Sequence, residues 1–275
     1  MRSAESAPPL RHAVALGLMQ GPAELLPISS SGHTTLIPWL VGWSYGELDG
    51  ELRKAFEVAL HAGAGIALAI DMRGELSEQL RSTSPRRALL LALSLGPAAI
   101  AGFALRRPIE RYLGAPRSVA AGLALGGLAM AFADRRSGAD GRTSAEATPL
   151  DGLALGIAQA TALIPGVSRN GATLTAARAR GFDRPGAQAL SWEVALPVIL
   201  AATTLKGGRL LRGHRIPPDA RRALAAGGLS AFASTLLSAR VLRRGAHAQR
   251  SLLPFSLYRC LLAGAVVIRM RRGVR

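Results

Sequence analysis

The chain has little cysteine, little aromatic surface and little acid. Its one cysteine among 275 residues, Cys260, rules out an internal disulfide and a cysteine-built metal site. Aromatic residues make up 4% of it. With so few of them, no basic face interleaved with aromatics forms, and no nucleic-acid motif occurs, so nucleic acid is not the expected partner. Asp and Glu number 17 against 34 Lys and Arg, a net charge of +17 carried almost entirely by arginine. That balance suits an anionic membrane surface. The arginines fall in short runs between apolar stretches, among them Arg86-Arg87, Arg135-Arg136, Arg243-Arg244 and Arg271-Arg272. Loops that flank membrane helices have this pattern. Small residues suited to signal-peptide cleavage are also missing where the first apolar run ends, so that run is not read as a leader.

What the chain has is apolar length. Residues 88–105 hold no charge and form the clearest candidate span. Pro97 stands in the middle, costly in a soluble helix but tolerated in a membrane. Further uncharged runs cover 118–133, 223–239 and, interrupted by Arg259, 251–268. A soluble all-helical protein rarely repeats uncharged runs of near-span length. The expected fold class is therefore all-α, a polytopic integral membrane helical bundle in a single transmembrane domain over 1–275.

The halves echo each other across a polar linker at 134–151. The stretch G-L-M-Q-G-P-A-E-L-L-P-I-S-S-S-G-H-T aligns without gaps on G-I-A-Q-A-T-A-L-I-P-G-V-S-R-N-G-A-T. Gly17, Gln20, Ala23, Ser29, Gly32 and Thr34 match Gly156, Gln159, Ala162, Ser168, Gly171 and Thr173, each offset by 139 residues. A second echo sets Glu57-Val58-Ala59-Leu60 against Glu193-Val194-Ala195-Leu196. Repeat 1 is placed at about 12–133 and repeat 2 at about 152–268. Each carries an apolar helix that breaks into a Ser/Gly turn, the first at Pro22 and Pro27. Unpaired backbone cannot face lipid, so the turns should line an enclosed, hydrated cavity. Interrupted segments at corresponding positions point to a site between two inverted repeats with paired re-entrant helices.

The turns carry chemistry. The first offers Gln20 and Glu24 on one helix face, then Ser29, Ser30, Ser31 and His33; the second offers Ser168, Arg169, Asn170 and Thr173. A glycine-flanked Ser/Arg turn that opens a helix presents backbone N–H groups and a guanidinium to a phosphate. Glu24 supplies a carboxylate for a divalent cation or a proton, and the hydroxyls and imidazole complete a phosphoryl-transfer set. Ionisable groups at membrane depth are expensive, which marks Glu24, His33 and Arg169 as functional. The serines equally suit helix packing. Asn170 suits a helix cap, Arg259 a snorkelling side chain and His61 a packed histidine. Glu57 suits an interface, and Glu193 has no evident role.

Q-G-P-A-E-L-L-P-I-S-S-S-G-H and P-G-V-S-R-N-G-A-T resemble the two signatures of the undecaprenyl-diphosphatase family of the bacitracin-resistance type, as do F-E-V at 56–58 and P-F-S-L-Y-R at 254–259. The resemblance implies a multi-pass enzyme of the bacterial cell membrane. It would take undecaprenyl diphosphate to the monophosphate carrier lipid of cell-wall synthesis. Catalytic roles would fall to Glu24, Ser30, His33 and Arg169, and substrate contacts to Gln20, Ser29, Ser31, Ser168, Asn170 and Thr173. Glu24 would hold a divalent cation, Mg2+ or Ca2+, as cofactor. Ser30 or a water would attack phosphorus while His33 moves the proton. Gln20 departs from an often acidic position, and Asn170 stands where the family often has Ser. Expected partners are the polyprenyl diphosphate lipid, the membrane and a second copy in a homodimer. A polyprenyl-phosphate transporter or flippase would use the same broken repeats. A lipid phosphatase of the phosphatidic-acid type would need a histidine where Thr175 stands.

Overall fold

The computed structural model of the chain describes residues 7–82, 84–136, 141–213, 217–244 and 251–273. The start of the N-terminal tail, the middle of the linker and the basic run at 245–250 lie outside the described residues. The described residues form helices and no strand: α1 (Leu10–Leu25), α2 (Ser30–Val41), α3 (Gly50–Asp71), α4 (Arg73–Ser82), α5 (Pro85–Leu113), α6 (Pro116–Arg136), α7 (Pro149–Thr161), α8 (Arg169–Ala179), α9 (Arg184–Gly213), α10 (Pro218–Arg244) and α11 (Leu253–Gly273).

Among the described residues, four helical segments are long and apolar enough to cross a membrane: Pro85–Leu105, Pro116–Arg136, Ala220–Leu242 and Leu253–Gly273. They coincide with the four uncharged runs, each a few residues longer. Their outer faces expose large apolar side chains, Phe103 at 91% and Leu229 at 70%. Apolar surface on that scale needs lipid rather than water. The chain is a multi-pass membrane protein.

Two corrections concern proline and polar positions. The first helix does not break at Pro22; it continues to Leu25. Proline there removes the N–H that would bond the Leu18 carbonyl, four residues back. Ser234 of α10 replaces it, its Oγ donating to Leu18 O at 2.5 Å. The break comes at Leu26–Ser29, where Pro27 stands. Asp134 is not part of a loose linker. It is 3% exposed near the end of α6 and accepts from Arg178, Arg184, the Ser251 hydroxyl and the Leu252 amide.

Packing is reciprocal. The helix before the first break, α1, lies along α10, and the helix before the second, α7, lies along α5; α6 and α11 pack on each other. Small residues make the close approach possible. A Cβ on Gly21 would fall 2.5 Å from the Ser234 backbone. Glu193 of α9 pairs with Arg87 at the start of α5, which also donates to Ser144 O. The residue without an evident role is one partner of an ion pair between α9 and α5.

Candidate active site

Ser29 and Ser168 are the only non-glycine residues of the described chain with positive φ, at 76° and 69°. They are also a matched pair of the 139-residue echo. Each is an N-cap whose hydroxyl accepts from the amide three residues on, Gly32 N at 3.2 Å and Gly171 N at 3.1 Å. A left-handed serine is strained, and such strain gathers at functional sites. Here it turns the chain sharply, so that α2 and α8 each begin at the break. The second turn also needs glycine: Gly166 has φ 95°, and a Cβ there would lie 2.1 Å from Val119 O.

Both helix starts open on one cavity of about 280 Å3. Its polar wall is Glu24, Ser29, Ser30, Ser31, His61, Ser168, Arg169 and Asn170; Val58, Leu163, Val198 and Ile199 are on the apolar side. First-turn amides have no intrahelical acceptor, and the helix dipole puts positive charge at this end. Two N-termini converging with a guanidinium make an anion site. Glu24, its side chain 9% exposed, is the hub. Its Oε1 accepts from Arg169 Nη2 at 3.0 Å and its Oε2 from Ser30 Oγ at 2.8 Å. The first turn's helices, α1 and α2, supply carboxylate and hydroxyl, and α8 supplies the cation.

The remaining expected residues divide. Gln20 is 1% exposed behind the cavity, its Nε2 3.3 Å from Glu24 Oε2. Asn170 does not cap α8, since Ser168 does. It locks the turns together, donating to Leu25 O at 2.6 Å and accepting from Ser191 Oγ at 2.9 Å. Thr173 is fully buried away from the cavity, bonded to Ser191 Oγ and to the Arg169 and Asn170 carbonyls. His33 is not in the cavity wall. Its Nδ1 is 2.7 Å from Ser29 O and its Nε2 2.7 Å from Tyr258 Oη, so both ring nitrogens are taken up in holding the strained turn.

Two residues read otherwise from sequence belong to the site. Arg259 does not snorkel; it is fully buried, with its Nη2 donating to Val167 O at 2.7 Å and Gly166 O at 3.2 Å. A longer contact of 3.4 Å joins its Nη1 to Pro27 O, so one guanidinium braces both turns. His61 lines the cavity, 3.7 Å from Glu24 Oε2. Its four-residue spacing from Glu57 gave no hint of this, because the packing of α3 on α10, α9 and α1 decides where it faces.

The side chains present do not fit a resident divalent cation. Among the described residues no group of three His, Cys, Asp or Glu side chains could hold one. Glu24 is the carboxylate of the wall, and both its oxygens are already engaged. The buried Gln20 Oε1 has no partner, but it is a neutral oxygen.

Residues 13–266 match the family model described as bacitracin resistance protein BacA. The chain is 38% identical over 271 residues to an undecaprenyl-diphosphatase of Geobacter sulfurreducens, covering 94% of this chain and 97% of the relative. It is 34% identical to an undecaprenyl-diphosphatase of Gluconacetobacter diazotrophicus, covering 94% and 95%. A third, from Neisseria meningitidis serogroup C, is 32% identical over 95% of both chains.

Proposed function

The chain belongs to the bacitracin resistance protein BacA family, and from that premise we propose that it hydrolyses undecaprenyl diphosphate to undecaprenyl phosphate and inorganic phosphate. It is an enzyme of lipid-carrier recycling for cell-wall synthesis, seated in the bacterial cell membrane. No observation favours the transporter reading. The two halves are inverted repeats, and α1–α2 and α7–α8 are re-entrant helix pairs. The reciprocal packing and the paired left-handed serines support that arrangement.

The observation that carries the reading is the Ser30–Glu24–Arg169 chain, 2.8 Å and 3.0 Å between successive partners. Arg169 and the first-turn amides of α8 bind the diphosphate. Ser30 Oγ attacks the terminal phosphorus as its proton passes to Glu24. The bond from phosphorus to the bridging oxygen breaks, and undecaprenyl phosphate leaves with that oxygen. Water then attacks the phosphoserine phosphorus, the bond from phosphorus to Ser30 Oγ breaks as Glu24 returns its proton to that oxygen, and inorganic phosphate departs with the oxygen and protons of the water. A monophosphate is a good leaving group, so no acid is needed to release it. Mg2+ or Ca2+ enters as the counter-ion of the diphosphate, as part of the substrate. The prenyl tail lies outside the cavity, between apolar helix faces.

Phosphate release from undecaprenyl diphosphate by the purified chain, with and without chelator, tests this. Glu24→Ala and Arg169→Ala are expected to lower kcat by about 100-fold or more, the scale of a lost base or anion-stabilising donor. Full activity in either variant sinks the assignment.

A further inference from the structure

The cavity contains one ionisable group that the Ser30–Glu24–Arg169 reaction leaves idle. His61 of α3 is part of the wall, and its Nδ1 is 3.2 Å from Gln20 Nε2. The orientation of the Gln20 amide follows from its neighbour. Glu24 is paired with Arg169 and so is an ionised carboxylate, which only accepts. The amide must turn its NH2 toward it, at 3.3 Å. An NH2 has two hydrogens. The second reaches His61 Nδ1 and makes that nitrogen an acceptor, so the ring hydrogen sits on Nε2.

We propose that His61 is a catalytic residue, donating from Nε2 to an oxygen of the terminal phosphoryl group, and that Gln20 is the residue that positions it. The assignment rests on the diphosphatase reading. Phosphoryl transfer spreads negative charge over three equatorial oxygens, and its catalysis is largely positioning and donation to them. Arg169 and the α8 amides reach the group from the second repeat. His61 reaches it from α3, in the first. A glutamine at position 20 is what this arrangement requires. A carboxylate there would accept from Nδ1 and draw the ring hydrogen to itself, whereas the amide leaves the hydrogen on Nε2.

The test uses the full chain in detergent, with steady-state phosphate release from undecaprenyl diphosphate. The functional reading is checked first: wild type must release phosphate, and Arg169→Ala must release it at least about 100-fold more slowly. Within an active background, His61→Ala is expected to lower kcat about 100-fold, the cost of one preorganised donor, with KM changed less than about threefold. His61→Gln, which keeps an N–H donor, should stay within about tenfold of wild type. Gln20→Ala should lower kcat in wild type but have no further effect in His61→Ala, since residues acting as a unit do not add. His61→Ala within threefold of wild type overturns the proposal while the diphosphatase reading stands. Equal losses in His61→Ala and His61→Gln overturn the donor role, and additive losses overturn the positioning role of Gln20.

Discussion

At the residue scale, charge placement governs the site. Glu24 and Arg169 are each costly to bury alone, and together they are held in register by Ser30 and Gln20. Arg259 has no carboxylate; its Nη1 and Nη2 donate to carbonyls instead, and its buried Nε has no partner. Its removal would leave the Gly166 and Val167 carbonyls buried and unpaired. Arg259→Met is therefore expected to destabilise the fold by about 2 kcal/mol or more. It should also lower phosphate release, because both turns loosen. Thermal unfolding in detergent beside the activity assay checks both effects. Of the expected site residues, Glu24, Ser30 and Arg169 line one cavity. His33 stands outside that wall, bonded to Ser29 O and Tyr258, whereas His61 stands within it. Motif spacing tells which turn a side chain belongs to, but what the side chain faces depends on neighbouring helices.

At the element scale, the helix breaks are specified by more than proline. Pro22 is carried within α1 because Ser234 of α10 supplies the missing donor to Leu18 O. Ser234→Ala should leave that carbonyl unsatisfied and cost about 1–2 kcal/mol. Pro22→Ala restores an N–H four residues on, so Ser234→Ala should cost less in that background. A double-mutant cycle on melting temperature measures the coupling, and additive losses would refute it. Pro27 succeeds as a breaker because Ser29 follows it in a left-handed conformation, with its hydroxyl already capping α2. The sequence showed the breaks, through the Pro/Ser/Gly cluster and its echo. It placed the first break too early, because a proline within a packed membrane helix finds its donor on another helix.

At the scale of the whole molecule, the described polar stretch ahead of α7 is anchored by arginine–carboxylate pairs. Arg142 grips Asp151 with two bonds, at 2.8 and 3.2 Å, and stands 4.3 Å over the Phe182 ring. Arg180 adds a bond to Asp151 at 2.7 Å. Burial pushes the Asp151 carboxyl upward, but bonds from Arg142, Arg180 and Thr148 outweigh it and hold the carboxyl well below the usual carboxylate range. A depressed carboxyl stabilises the fold fully above its unfolded pKa, about 4, and less as the pH falls through its folded value. Melting temperature should therefore drop below about pH 4. Asp151→Asn should cost about 1–3 kcal/mol at pH 7 and flatten that acid limb. An unchanged acid limb in the variant would show that Asp151 does not produce it.

The sequence by itself determined the class of the molecule, the four spans, the two-fold echo and the pair of turns, because those follow from local composition and from unpaired backbone being barred from lipid. Only the tertiary structure decided which polar groups share the cavity. His61 enters it because of how α3 packs on α10, α9 and α1, and Thr173 leaves it for Ser191. Glu193 of α9 finds Arg87 of α5, and Arg259 turns inward to the two breaks. Each of those outcomes depends on a helix far away in the chain, so the nearby residues could not announce it.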